Sequence, residues 1–523
     1  MDLSLLLEAI EVEKSRNQKS IEIDKIAYHS SSCLPGTLFV CVKGYETDGH
    51  DYAAEAVDKG AVALIVERFL PDLAVPQFLV KNGREALAAL SARYYQYPSR
   101  DLFLVGITAT NGKTTTTYMT QAIFEENNWA TGLVGTVMVK YADKAEPSKL
   151  TTPESLDLQE YFVKMNENHI THVSMEVSSS ALELNRVNNV AFNIVALNNV
   201  SPDHIDLHGS FEEYYNAKAS LIRDAGADQF AVLNLDNRYS ADLQTQTAAR
   251  VVTYGIEDQS GNIVVTNLNL TPQGADFTVE IREPFQMVSG EVIEPVSFPV
   301  SISVVGYHSV YNALVAITIG LISGVPIETI QKGIERFKGV ERRFQIIYNK
   351  EFKIIDDYFV NKENIEATLE TLNQLEYNDL HLVYAVRGNR GIQVNRENAQ
   401  TLAEWIPRLG LEKIILTISE SHMKNKDKVL DEELKVVREE LEKTGVAIDY
   451  YKEMPPALDA SLKDVKAGDV ILLTGGKGMD FGAKYILNKI LEQRPDLDEA
   501  DVLSPLKNRV AGMDESILER SKK

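Results

Sequence analysis

Short apolar runs broken by polar turns recur along the chain, with amphipathic stretches between them. Near the start, "GTLFVCVKG" (36–44) and "AVALIVE" (61–67) are apolar enough and rich enough in β-branched residues to predict buried strands. "HDYAAEAVDKG" (50–60) has helical spacing and a glycine stop at Gly60. The opening "MDLSLLLEAIEVEKSRNQKS" carries acids within its apolar run and no basic segment before it, so it predicts a first helix rather than a leader. Together these form a small α/β domain ending near "YYQYPSRD" (94–101).

A new strand, "LFLVGIT" (102–108), runs into a glycine-containing turn and a Thr-rich helix start. "HVSMEVSS" (172–179) and "IVALNNV" (194–200) predict further buried strands, each followed by polar residues where a site could sit. "FEEYYNAKASLIRDAG" (211–226) and "SVYNALVAITIGLISG" (309–324) read as helices on either side of a strand-rich insert, 250–305. From about 339 the pattern restarts. "KIIDDY" (353–358), "LHLVYAV" (380–386), "KIILTIS" (413–419) and "DVILLTGG" (469–476) alternate with helices, which predicts a parallel sheet with crossover helices. After "AKYILNKILEQ" (483–493) the tail is polar and without clear period, and is expected to be extended or frayed.

A chain of 523 residues exceeds one hydrophobic core, so several domains are expected. The charge balance, 53 basic against 76 acidic residues, gives −23. That argues against nucleic acid and anionic membranes as partners, while leaving room for anionic small molecules in a locally basic cleft. The two cysteines, Cys33 and Cys41, have neither metal-ligand nor framework spacing and are expected as buried thiols in a reducing compartment. No run approaches the ~18 apolar residues of a membrane span, and a cytoplasmic protein is expected.

The turn "GITATNGKTTTT" (106–117) almost matches a phosphate-binding loop, but Ile107 stands where the usual spacing has its first glycine. Its chemistry is still apt. A strand ends, a helix begins at Lys113–Thr114, and backbone N–H groups at such a helix start favour phosphate oxygens. Lys113 can reach terminal phosphates and the Thr114 hydroxyl can ligate Mg²⁺; a plain glycine turn with a capping threonine is the alternative. Glu176, ending the strand of "MEVSSS", is placed for a metal. Taken alone, His204 reads more readily as structural, and Lys218 as a solvated helix residue.

Five collinear segments decide between these alternatives: "TATNGKTTTT", "LTTPESLDL", "MEVSSSALELNRV", "NNVSPDHIDLHGSFEEYYNAKASL" and "YHSVYNAL". Together they resemble the Mur ligase family, and most of all its MurE branch, which adds the third amino acid to UDP-MurNAc-L-Ala-D-Glu. The resemblance implies an α/β protein of three domains: an N-terminal UDP-substrate domain (1–98), a central P-loop-type ATPase domain (99–338) and a Rossmann-like amino-acid domain (339–523). It implies an ATP-dependent amide ligase working through an acyl phosphate in peptidoglycan precursor synthesis.

The resemblance also assigns roles by position. Thr110, Asn111, Gly112, Lys113, Thr114 and Thr115 would hold ATP, with Ala109 standing where the family has glycine. Asn312 would contact adenine, and Arg343 the nucleotide. Thr114, Glu176, His204 and Lys218 would form the Mg²⁺ sites, Lys218 as a carbamate. Lys113, Lys218, His204 and Asp357 would serve catalysis. Ser30, Thr151, Thr152, Ser178 and Arg186 would bind the UDP-muramyl dipeptide, and Arg390 and Asp480 the incoming amino acid. A monomer acting on small molecules is expected.

The third domain departs from the family pattern. Phe359 and Val360 replace an Ala-His pair, and "ISESH" (418–422) stands where diaminopimelate-adding enzymes carry Asp-Asn-Pro-Arg. Without that arginine a second carboxylate loses its bidentate partner, so L-lysine is the expected amino acid. A paralogue joining another amine to another carboxylate is the alternative. An inactive nucleotide-binding scaffold would leave the whole metal-site constellation idle. Lys113→Ala should nearly abolish ATP-dependent turnover, measured as ADP release, because no other basic residue stands at the helix start.

Overall fold

The computed structural model describes residues 1–513 apart from 18, 45–46, 203–207, 272, 360, 424–426 and 508. Its contacts divide the chain into two compact units. The first is Met1–Val264, Ile281–Val296 and Leu314–Ile330; the second is Val265–Glu280, Ser297–Ala313 and Gln331–Lys523.

The first unit opens with a five-stranded sheet: β1 (Lys14–Arg16), β2 (Lys25–Ala27), β3 (Thr37–Val40), β4 (Ala61–Val66) and β5 (Gln77–Leu79), in the order β1-β5-β4-β3-β2. Strands β2 to β5 are parallel and β1 is an antiparallel edge. The runs 36–44 and 61–67 are continuously apolar because both faces of this sheet are covered. Leu38, Val40, Ala63 and Ile65 pack on one side, and Phe39, Cys41, Leu64 and Val66 on the other. Cys33 and Cys41 are buried free thiols, and burial pushes the Cys41 thiol up to about 12.

The same unit continues with β6 (Phe103–Thr108), β7 (Thr131–Val134), β8 (Met138–Tyr141), β9 (Lys144–Pro147), β10 (His172–Glu176), β11 (Ile194–Leu197), β12 (Phe230–Asn234) and β13 (Arg250–Gly255). Their order is β13-β12-β11-β6-β10-β7-β8-β9. The sheet is parallel from β13 to β7, and β8 and β9 add an antiparallel edge. Strand β6 lies between β11 and β10, so the carboxyl ends of three parallel strands meet. That is where open α/β sheets hold ligands. Gly106 within β6 is required by packing, since a Cβ there would lie 2.7 Å from the Phe192 ring.

Strand β14 (Ile263–Thr271) starts in parallel with β13. Next come β15 (Gly274–Ile281), a small hairpin of β16 (Phe285–Gln286) and β17 (Val292–Ile293), and β18 (Val296–Ile302). These account for the strand-rich insert.

The second unit carries a six-stranded sheet of β19 (Gln345–Asn349), β20 (Lys353–Asp356), β21 (Leu380–Ala385), β22 (Lys413–Thr417), β23 (Ala447–Tyr451) and β24 (Val470–Thr474), ordered β19-β20-β24-β21-β22-β23. Five strands are parallel, as the restarted pattern predicts. Strand β19 is antiparallel to β20, because the connection between them is too short for a crossover.

The tail expectation fails over 494–513, and the rest of the tail lies outside the described residues. Helices Gly482–Gln493 and Glu499–Val502 are followed by a segment that returns to the sheet. There the Arg509 guanidinium, only 1% exposed, bonds Asp356 Oδ2 at 2.6 Å, and the Val510 and Ala511 N–H groups donate to Glu341. No clear period shows this because the segment combines a few apolar contacts, Val502, Leu503 and Leu506 against the core, with buried charge pairing. Asp356 has no exposure and also pairs with Arg342 Nε at 3.2 Å. Asp356→Ala should therefore cost about 3–5 kcal/mol in urea unfolding, because it leaves two buried guanidiniums short of an anion.

Candidate active site

The turn after β6 is shaped by one left-handed residue. Gly112, φ 91°, caps helix Lys113–Glu126, while Ala109 is absent from the positive-φ residues and so tolerates its side chain. The turn is fastened to the segment after β11. Thr110 N–H donates to Asn199 O (2.9 Å), and Asn111 and Asn199 exchange bonds at 3.0 and 2.9 Å. Ser201 N–H donates to the Thr110 hydroxyl, which also meets Tyr214 Oη at 2.9 Å. Neither Asn199 nor Tyr214 stood out in the sequence; Asn199 falls inside the predicted strand 194–200, which in the structure ends at Leu197.

Two ammonium groups converge on one carbonyl. Lys113 Nζ donates to Ala109 O at 2.7 Å and Thr110 O at 3.0 Å, and Lys218 Nζ donates to Ala109 O at 2.8 Å. Lys218 is 1% exposed and lies 4.8 Å from the Tyr214 ring centroid. It is buried at the loop, not a solvated helix residue. Thr115 is half-buried on the first helical turn.

Glu176, at the end of β10, has no exposure. Its carboxylate accepts from the Thr114 hydroxyl at 2.9 Å, from Thr136 N–H at 2.6 Å and from the Thr136 hydroxyl at 2.9 Å. A buried carboxylate beside a hydroxyl at a helix start suits Mg²⁺, which takes one or two protein oxygens and keeps its other positions for water and phosphate. Among the described residues no group of three or more His, Cys, Asp or Glu could hold a metal. His204 lies outside the described residues. The described histidine of that segment, His208, pairs with Glu183 (3.0 Å) and Ser179 (3.0 Å).

Thr151, Thr152, Ser178 and Arg186 form the adjoining wall. The Thr152 hydroxyl donates to Glu176 O at 2.8 Å and accepts from Ser178 N–H at 3.1 Å. Thr151 Oγ1 lies 3.1 Å from Thr136 Oγ1. Arg186 pairs with Glu154 at 3.0 Å, as does Arg84 through the other carboxylate oxygen, and Arg186 Nε is buried with no hydrogen-bond partner among the described residues. Glu154 and Arg84 line a cleft of about 910 Å³ that also includes Ser30, Tyr28, Thr47 and Lys149. The Ser30 hydroxyl donates to Glu55 at 2.9 Å.

The remaining candidates belong to the second unit. Asn312 is buried on helix Tyr307–Ile322. Asp357 is buried and accepts from Phe344 and Phe359 N–H, and burial pushes its carboxyl above the usual range despite the nearby Arg343. Arg343 lies over the Tyr358 ring at 5.5 Å. Arg390 is exposed, 3.7 Å from Asp427. Asp480 is ion-paired with Arg342, which also donates to Gly475 O and Gly476 O. The carboxylate chosen as an amino-group partner thus already has a cation.

Comparison with known proteins matches three family models: "Mur ligase family, catalytic domain" over 22–95, "Mur ligase middle domain" over 107–320 and "Mur ligase, glutamate ligase domain" over 342–477. A Bacillus velezensis protein named UDP-N-acetylmuramoyl-L-alanyl-D-glutamate--2,6-diaminopimelate ligase is 33% identical over 514 residues, covering 96% of this chain and 98% of that protein. The chain belongs to the Mur ligase family. As a member it is an ATP-dependent ligase with the three-domain α/β fold of that family. A protein of the same name from Bacillus licheniformis is 34% identical over 96% of this chain and 98% of its own length.

Among solved structures, one titled as a UDP-N-acetylmuramoyl-L-alanyl-D-glutamate--2,6-diaminopimelate ligase aligns with TM-score 0.63 at 21% identity, covering 91% of this chain and 93% of its own. The MurF ligase of Thermotoga maritima in complex with ADP aligns with TM-score 0.60 at 20% identity, covering 90% and 98%. These likenesses concern the fold. No helix among the described residues of this Mur ligase is long and apolar enough to cross a membrane. Asn199→Ala should weaken nucleotide binding by about tenfold or more, read by calorimetry with ADP, because it frees two bonds that fix the loop.

Proposed function

We propose that the chain joins an L-amino acid, L-lysine by preference, to the D-glutamyl carboxylate of UDP-MurNAc-L-Ala-D-Glu in peptidoglycan precursor synthesis. One observation carries the reading: the phosphate-type loop, the buried Glu176 and the Thr151–Thr152–Ser178 wall are joined by hydrogen bonds within one unit. The full-length relatives, named for the same acceptor, support it. Their names specify diaminopimelate. The preference for lysine rests on this chain alone, where Ser419 and Ser421 stand in the segment lacking arginine and their hydroxyls are spent on Gly478 O and Glu453. The division into 1–98, 99–338 and 339–523 belongs to this reading, and the three family matches fall inside those bounds; small-molecule substrates suit the charge balance, and a cytoplasmic monomer is proposed with them.

In the proposed reaction the acceptor carboxylate oxygen takes the γ-phosphoryl group of ATP, giving an acyl phosphate and ADP. The amine attacks the acyl carbon, loses a proton, and phosphate departs. Two anions must first be brought together, so fixed cations and N–H groups carry the electrostatic load. Lys113 and the N–H groups at the helix start face phosphate, with Thr110, Asn111, Gly112 and Thr115 shaping the loop. The cleft with Ser30 takes the nucleotide-sugar peptide, with Arg186 paired to Glu154 of its lining. Asn312 and Arg343 serve the nucleotide, and Asp357 its ribose or phosphates. Arg390 holds the amino acid's carboxylate, and Asp480 faces its amine once Arg342 is shared.

Thr114 and Glu176 would hold Mg²⁺, with His204 and a carbamylated Lys218 at a second position. The ion would supply neutralising charge at the phosphates and the acceptor carboxylate. Lys218 is buried next to the loop, where CO₂ addition would turn a cation into an anionic ligand. Lys218→Ala should lose activity, and formate or acetate should restore part of it; a fully active variant would end the carbamate assignment.

One observation favours a second reading, a paralogue with another acceptor and amine. Phe359 replaces part of an Ala-His pair, and it is fully buried against Tyr384 with its ring centroid 6.2 Å away. The test is ADP release with UDP-MurNAc-L-Ala-D-Glu, Mg²⁺, bicarbonate and a panel of amino acids. Turnover with lysine and little with diaminopimelate is the expected result. Silence across the panel from protein that binds ADP would favour the paralogue.

A further inference from the structure

Thr136 belongs to none of the segments that carry the family resemblance, yet it makes two of the three hydrogen bonds to the Glu176 carboxylate described above. It stands just beyond β7, on the strand next to β10. Its N–H donates to one carboxylate oxygen and its hydroxyl to the other, so it fixes the rotation of the group as well as its position. The neighbouring Gly135 makes room for this. A Cβ there would lie 2.3 Å from Glu176 Oε1. Once the Thr136 proton is given to Glu176, its oxygen is left to accept from Thr151, 3.1 Å away. Thr151 is therefore the donor of that bond.

Glu176 has no exposed surface, and a buried anion depends on the donors that face it. We propose that Thr136 is the positioning residue of the Mg²⁺ site, holding the Glu176 carboxylate in the orientation that Thr114 and the ion require. This rests on reading Thr114 and Glu176 as that site. Groups that orient a metal ligand in this way typically change metal affinity about 10–100-fold when removed.

The test is calorimetric titration of Mg²⁺ into protein saturated with ADP, with no turnover involved. Thr136→Val keeps the shape and the N–H but removes the hydroxyl. It should raise the Mg²⁺ Kd about 10–100-fold, while ADP affinity in EDTA stays at the wild-type value. Thr136→Ser should restore Mg²⁺ affinity. Gly135→Ala pushes the carboxylate aside instead of freeing it, and should weaken Mg²⁺ in the same way, which keeps the proposal testable if the valine variant does not fold. Wild-type Mg²⁺ affinity in Thr136→Val, with Glu176→Gln impaired, would overturn the positioning role and leave the metal reading intact. Wild-type affinity in Glu176→Gln would overturn both.

Discussion

A carboxylate with no solvent contact sits where three parallel strands end, and the rest of the site is arranged around it. Glu176 reaches this place because β10 is paired with β6 on one side and β7 on the other. Hence its side chain meets the first helical turn through Thr114 and the β7 exit through Thr136. Burying that charge is costly unless several donors face it. The geometry supplies three from two separate segments, so loop, strand ends and acceptor wall keep one mutual arrangement.

The same economy of charge appears in the second unit, without evident chemistry. Arg342, Arg509 and Asp356 are almost fully buried, and they tie the segment before β19, the glycine loop after β24 and the last described residues into one network. The Arg342–Asp480 pair belongs to it. A carboxylate that looks free in a glycine-rich motif can therefore be half of an ion pair, and its availability to a substrate depends on what its partner does.

The strands were legible because a sheet covered on both faces forces continuous apolar runs, as at 61–67 and 102–108. The turn at 106–117 was legible as a candidate because a strand ends and a helix begins at Lys113–Thr114, but by itself it left a plain glycine turn open. The resemblance of five ordered segments then supplied the family. Three features escaped. The antiparallel β19 escaped because direction is set by connection length, which apolar period does not encode. The folded part of the tail escaped because it is held by scattered apolar contacts and buried ion pairs without a regular period. Thr136 escaped because a threonine after a strand carries no signal of what lies opposite it.

The sequence by itself determined the alternation of strands and helices, the buried thiols, the helix start at Lys113–Thr114 and the family. These depend on local periodicity, backbone preference and motif order, which are written residue by residue. The tertiary structure alone decided that Lys218 is buried at the loop, that Asn199 and Tyr214 fasten it, that Asp480 is paired and that Thr136 orients Glu176. Each depends on side chains far apart in the chain meeting within hydrogen-bond distance, and strand order, not sequence spacing, fixes which ones meet.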